Sequence, residues 1–181
     1  PAFGTAPTAN PRSLTVCNGV SELQVYMSAS ATSTSPATVS IQLPSGINYV
    51  PGSATVVSTN AGITITENGG TPQNPQFTIQ NPTGGILSGN SVTFTIRRTA
   101  TCVARTEAIA GTIFKDLVTG TIPGSTAASA TSGTYAVNYP VFSFTQPAAV
   151  NNTLIGQAYS RTFSIKNGGT GGASAVYFRI N

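Results

Sequence analysis

Charge is what this chain lacks most. Eight basic and four acidic side chains make up 7% of its 181 residues, against about a quarter in an ordinary soluble domain. Solubility must therefore come from Thr, Ser, Asn and Gln, and Thr in particular suits the exposed face of a pleated sheet. Histidine is absent, which removes the commonest general base and metal ligand together. Asp116 is the only aspartate, and Glu22, Glu67 and Glu107 are widely separated in sequence. A paired-carboxylate site would need the fold to bring two of these within about 5–10 Å. No acid neighbours another to start a calcium cage, and two cysteines without histidine cannot furnish a four-ligand zinc site. No catalytic, cofactor-binding or metal-binding residue is therefore assigned. The net charge of +4 reflects scarce acids rather than abundant bases. Arg97, Arg98 and Arg105 are the only local concentration, too thin for a nucleic-acid reader, which shows a denser basic face with interleaved aromatics. No run of about 18 apolar residues exists to cross a membrane as a helix. The chain opens on Pro1 rather than an initiator methionine, as expected of an exported protein whose signal peptide has been removed.

What remains is strongly patterned. At 39% hydrophobic residues the chain is expected to fold rather than stay disordered. Its length allows one large domain, or one and a fraction. Val39, Ile41 and Leu43 alternate with Ser40 and Gln42; Ile63 and Ile65 with Thr64 and Thr66; Phe77 and Ile79 with Thr78 and Gln80. Val92, Phe94 and Ile96 do so most cleanly, with Thr93, Thr95 and Arg97 outside. Period two is the mark of strands with one buried face. Between these runs stand Pro44-Ser45-Gly46, Pro51-Gly52, Asn68-Gly69-Gly70, Asn81-Pro82-Thr83-Gly84-Gly85 and Ser88-Gly89-Asn90, and turn signals at such spacing predict an all-β sandwich. Further strands are predicted over 107–114 and 134–139. Residues 122–133 are small and polar and read as a long loop or a strap. No segment shows a sustained helical period.

Cys17 and Cys102 both lie in strand-like runs. In an exported chain such a pair forms one disulfide closing a long loop, worth roughly 4 kcal/mol by chain entropy; two buried thiols are the alternative. Lys115 beside Asp116, with Glu107 nearby, invites the idea of an intramolecular isopeptide. Adjacent strand residues face opposite sides, however, so both are expected as solvated surface groups. Asn167-Gly168-Gly169-Thr170-Gly171-Gly172 lacks the Gly-Lys-Ser/Thr ending of a phosphate loop and reads as a hairpin turn. Asn151-Asn152-Thr153 matches a glycosylation acceptor. Tyr49, Tyr135, Tyr139 and Tyr159 offer stacking surfaces for sugars, with core or edge packing as the plainer reading.

The two ends of the chain resemble each other. Residues 12–19, Arg-Ser-Leu-Thr-Val-Cys-Asn-Gly, align with residues 161–168, Arg-Thr-Phe-Ser-Ile-Lys-Asn-Gly. Further on, Val39, Ile41 and Leu43 match Val176, Phe178 and Ile180. The predicted organisation is an extended lead-in over 1–11, a β-sandwich with inserted loops over 12–140, and the start of a second, incomplete immunoglobulin-like repeat over 141–181. A lone hairpin is marginal in water, so the second copy needs either further chain or a neighbour's strands.

The Asn18-Gly19 turn, the alternating strand running through Leu43-Pro44-Ser45-Gly46-Ile47-Asn48-Tyr49-Val50 and the Gly52-Ser53 that follows resemble the conserved repeat domain DUF11 and related immunoglobulin-like modules. Asn167-Gly168-Gly169-Thr170-Gly171 opens the second copy in the same way. The resemblance covers roughly 12–110 and 159–181. It implies a non-enzymatic module of a large Bacteroidetes surface adhesin, of the gliding-motility type exported by the type IX route. Such a protein would be extracellular, with no cofactor and no catalytic residues. Its partners would be following repeats of the same polypeptide, other surface or secretion proteins, and an extracellular surface or glycan; nucleic acid and membrane insertion are not expected. A filament or surface-lattice subunit completed by strand exchange is the alternative.

Overall fold

The computed structural model describes residues 2–4, 13–16, 19–145, 155–156, 158 and 160–172. Two five-stranded sheets enclose the core. The first places β1 (Ala2–Gly4) beside β3 (Ser21–Ser28), then β9 (Ser91–Ala100), whose far edge pairs with both β5 (Ile47–Tyr49) and β6 (Thr55–Thr59). The second runs β11 (Ala128–Thr131), β10 (Leu117–Thr121), β4 (Ala37–Gln42), β8 (Asn74–Gln80), β7 (Thr64–Thr71). All of these pairings are antiparallel. The chain repeatedly crosses between the sheets, so neighbours within a sheet are mostly not neighbours in sequence. This is an immunoglobulin-like β-sandwich.

The alternation in the sequence is the alternation of the sheets. Leu23, Val25 and Met27 of β3 and Val92, Phe94 and Ile96 of β9 are buried against Val39 and Ile41 of β4, Phe77 and Ile79 of β8 and Val118 of β10. Aromatic contacts cross the interior: Tyr49 meets Phe77 edge-on with centroids 5.6 Å apart, and Phe77 meets Phe94 at 5.9 Å. Such pairs add about 0.5–1.5 kcal/mol each beyond area burial.

The Leu43-Pro44-Ser45-Gly46 turn carries the chain from β4 in one sheet to β5 in the other. Ile47 N–H donates to Pro44 O at 3.0 Å. Gly46 has φ +79°, and a Cβ there would lie 2.2 Å from the backbone nitrogen of Ala104. Its carbonyl accepts from Thr101 N at 2.8 Å and from Thr101 Oγ1 at 3.0 Å. Gly46→Ala must therefore adopt a left-handed backbone and push back a neighbouring backbone, an expected loss of at least about 2 kcal/mol readable as a lower melting temperature. A second turn, Pro51-Gly52, is held by Glu67: its Oε1 accepts Gly52 N–H at 2.6 Å and the Tyr49 hydroxyl.

Several sequence expectations are corrected. The neighbour packed on Gly46 is a helix, α1 (Cys102–Ile109), so Cys102 opens a helix rather than lying in a strand, and the strand predicted over 107–114 is replaced by the last helical turn and a loop. Two turns with a single buried residue, Ala104, leave no visible period in sequence. Asn68-Gly69-Gly70 is not a turn but a bulge within β7, where the register against β8 shifts between Glu67 and Gly70; the reversal comes at Pro72-Gln73. Residues 122–133 contain the edge strand β11, paired to β10. Of 134–139 only β12 (Val137–Asn138) is strand, pairing in parallel with β2 (Leu14–Thr15).

Beyond the sandwich, β13 (Phe142–Thr145) and β14 (Ser164–Asn167) form a separate antiparallel pair, with Phe144 and Phe163 stacked at 5.7 Å. Val176, Phe178, Ile180, Tyr159 and the Asn151-Asn152-Thr153 motif lie outside the described residues. Among the described residues no helix is long and apolar enough to cross a membrane.

Candidate functional site

Chemistry concentrates at the end of the sandwich capped by α1. Along β9 the inward positions run Val92, Phe94, Ile96, Arg98, Ala100, so the strand's own alternation points a guanidinium into the core. Arg98 and Asp116 are both 0% exposed, and Arg98 Nη1 is paired to Asp116 Oδ2. The other carboxylate oxygen accepts the Tyr135 hydroxyl at 2.8 Å. The guanidinium carbon lies 4.6 Å from the centroid of the Tyr135 ring, within cation–π range. Asp116 N–H donates to Ser132 Oγ at 2.8 Å, and Ser132 N–H donates to Asp116 O at 2.8 Å. Arg98 belongs to one sheet and Asp116 directly precedes a strand of the other, so the pair ties the two sheets together through the core. Burial, reinforced by the neighbouring Asp116 charge, pushes the Tyr135 phenol well above its ordinary range and keeps it a neutral donor.

This cluster corrects the reading of Lys115 and Asp116. Their side chains do face opposite ways: Lys115 is exposed, but Asp116 is buried. Its bonded partner is an arginine, which has no route to an amide bond. The signal was present in the sequence, because Arg98 is in phase with Val92, Phe94 and Ile96. The other ionisable residues are dispersed. Arg97 pairs with Glu22 at 3.7 Å, both exposed. Glu107 accepts from Thr112 Oγ1 at 2.9 Å, and Arg105 stands 5.9 Å from the Tyr139 ring centroid. The three arginines therefore form no common patch. Among the described residues no group of His, Cys, Asp or Glu is suited to hold a metal. Tyr49 and Tyr135 are core aromatics, 6% and 8% exposed.

Cys102 is exposed at the start of α1, and Cys17 lies outside the described residues. Val16 bridges Ala100 in parallel, so the residue before Cys17 lies beside the strand end that leads to Cys102.

Beside this cluster the chain leaves the sandwich through Tyr139-Pro140-Val141, and the Asn-Gly turn after β14 clasps this link. Gly168 N–H donates to Val141 O at 2.8 Å and Gly171 N–H to Tyr139 O at 3.1 Å. Asn167 Oδ1 accepts from Val141 N–H at 3.2 Å and Gly169 N–H at 3.0 Å, while its Nδ2 donates to Gly171 O at 2.9 Å. A Cβ on Gly169 would lie 2.3 Å from Tyr139 O, and one on Gly171 2.8 Å from Tyr139 N. The glycines are thus required by close approach of two backbones. Gly169→Ala is expected to release the β13–β14 pair from the link, seen as faster independent tumbling of that hairpin in ¹⁵N relaxation, with the melting of the sandwich unchanged. Between the clasp, the end of α1 and the Tyr135 ring lies a cleft of about 480 Å³.

No protein-family model matches the sequence, and no curated protein does. Some solved structures resemble the chain at low identity. A collagen-binding subdomain of the Enterococcus faecalis surface protein ACE is 10% identical over 72% of this chain and 99% of its own, with a TM-score of 0.43. BcpA, the major pilin subunit of Bacillus cereus, is 9% identical over 78% of this chain, with a TM-score of 0.49; the match spans 41% of the pilin. A cohesin module from a Clostridium perfringens family 33 glycoside hydrolase is 8% identical over 76% of this chain and 95% of its own, with a TM-score of 0.44. An adhesin, a pilin and a cohesin module thus resemble one chain. Likeness of this degree carries no argument about ligand or assembly.

Proposed function

We propose that this chain is part of a non-enzymatic, exported cell-surface adhesin or stalk built from immunoglobulin-like modules in series. The observation that carries the reading is the clasped link. The sandwich passes into a separate strand pair, the sequence around whose second strand resembles that of the sandwich's entry strand, and the Asn167–Gly171 turn is hydrogen-bonded to the link between them. The surface composition fits it: an outer face of Thr, Ser and Gln with few charges. At the finer level, the Leu-Pro-Ser-Gly and Asn-Gly elements favour a DUF11-like repeat of a giant Bacteroidetes adhesin of the gliding type, exported by the type IX route.

Phe142, Phe144 and Ile165 are 43%, 56% and 38% exposed, and this apolar surface favours a second reading as well. Strands from a neighbouring copy would cover it in a filament or surface lattice.

Protease shaving of intact cells, followed by an attachment assay on a strain lacking the gene, tests the proposal. Release of peptides from this chain and at least a tenfold loss of attachment are expected. Peptides found only after lysis, or undiminished attachment, would overturn it. Ordered polymers of the purified chain in negative-stain electron microscopy would favour the filament.

A further inference from the structure

The cleft at the clasped link has a lining that selects one ligand chemistry. Tyr139 supplies a half-buried ring beside the buried rings of Phe114 and Tyr135, Thr112 and Thr170 supply hydroxyls, and Asn138 an amide. Among the described residues no Lys, Arg, Asp or Glu lines it. Phe114 and Tyr135 are held as a pair, centroids 5.9 Å apart, and the Tyr135 hydroxyl is anchored on Asp116. The opposite wall is Gly168, Gly169 and Thr170, fixed by the hydrogen bonds of the clasp. The cleft is therefore built rather than left over, it stands where two packed units meet, and its volume of about 480 Å³ is within the usual range for small ligands.

An ionic ligand would meet no charged side chain on the described lining itself, Arg105 and Glu107 standing behind Tyr139 and Thr112. A purely apolar one would leave the Thr170 hydroxyl and the Asn138 amide unpaired. A neutral polyhydroxylated ligand meets both demands, placing a C–H face on the Tyr139 ring and hydroxyl groups on Thr112, Asn138 and Thr170. We propose that this cleft binds a short segment of an uncharged oligosaccharide. The inference rests on the surface-adhesin reading and names the ligand class for it.

The test is titration of the ¹⁵N-labelled chain with cellohexaose, chitohexaose and maltohexaose, and with an uncharged, end-blocked extended decapeptide. At least one sugar is expected to give saturable shifts centred on Thr112, Tyr139 and Thr170. Thr112→Trp, which fills the cleft, is expected to weaken that sugar at least tenfold with the melting temperature unchanged. Saturation by none of the sugars, shifts in the cleft with the peptide alone, or shifts centred instead on the smaller polar depression at Thr38, Ser40 and Thr119 would each overturn it. So would full affinity in a folded Thr112→Trp. A chain that binds no sugar yet still mediates attachment overturns the cleft and leaves the adhesin reading standing. A chain that binds sugar but never reaches the cell surface overturns that reading, and the cleft's assignment as the site of cell attachment with it.

Discussion

Asp116→Ala is expected to lower the unfolding free energy by about 3–5 kcal/mol, because it leaves the Arg98 guanidinium buried without its counterion. The whole side chain of Arg98 is inside the sandwich, so relaxing toward water would require opening β9, the strand that pairs with β3, β5 and β6. The urea midpoint should fall at constant slope, the mark of lost stability without a change in the surface exposed on unfolding. Asp116→Asn keeps a hydrogen-bond acceptor and should lose less. The double variant Arg98→Met, Asp116→Leu removes both charges at once and should recover most of the loss, since an apolar replacement of a buried pair is often neutral or better. A loss below about 1 kcal/mol for Asp116→Ala would show that water reaches Arg98 readily and that the pair does not tie the sheets. The two buried phenols also set a pH dependence. Burial raises the phenols of Tyr135 and Tyr49 above their ordinary value of 10.0, so folding favours their neutral forms. Stability from this source is complete at neutral pH and declines as pH climbs past 10, when the unfolded chain ionises first. Tyr135→Phe should flatten that alkaline limb.

Reduction of the native protein is the second large effect. If Cys17 and Cys102 are bridged, as we propose, the closed loop spans about 85 residues and its loss should cost roughly 4 kcal/mol by the chain-entropy argument. The parallel bridge between Val16 and Ala100 brings together the two stretches of chain that carry these cysteines. Mass spectrometry of the unfolded protein should show a gain of two hydrogens on reduction, and Cys102→Ser should melt lower by an amount that added reductant does not increase. Alkylation of both thiols in native, unreduced protein would remove the bridge. Because the bond would fasten the entry strand to the α1 end of the sandwich, its loss should also shorten the lifetime of the module under pulling force.

The architecture was legible because alternation is a local property. Val92, Phe94 and Ile96 announce an inward face without reference to any other part of the chain, and Gly46 announces a left-handed turn in the same way. Arg98 shows where such reading stopped short. In the sequence it counted only as one of three neighbouring bases, although it shares the phase of Val92, Phe94 and Ile96; the carboxylate just before β10 and the phenol of Tyr135 are what make its burial tolerable. The helix at Cys102 was illegible for a different reason: two turns bury a single alanine, so no pattern marks them, and the docking of Gly46 against Ala104 is what requires them.

Composition and periodicity alone decided that strands form, which faces of them turn inward, and that no histidine is available as a base or ligand. Tertiary packing decided which residues meet, because β9, the chain before β10 and the segment around Tyr135 approach one another only when the two sheets close. The buried ion pair, the clasp on the Tyr139–Val141 link and the cleft beside it all arise from contacts between distant parts of the chain, and no local pattern encodes those.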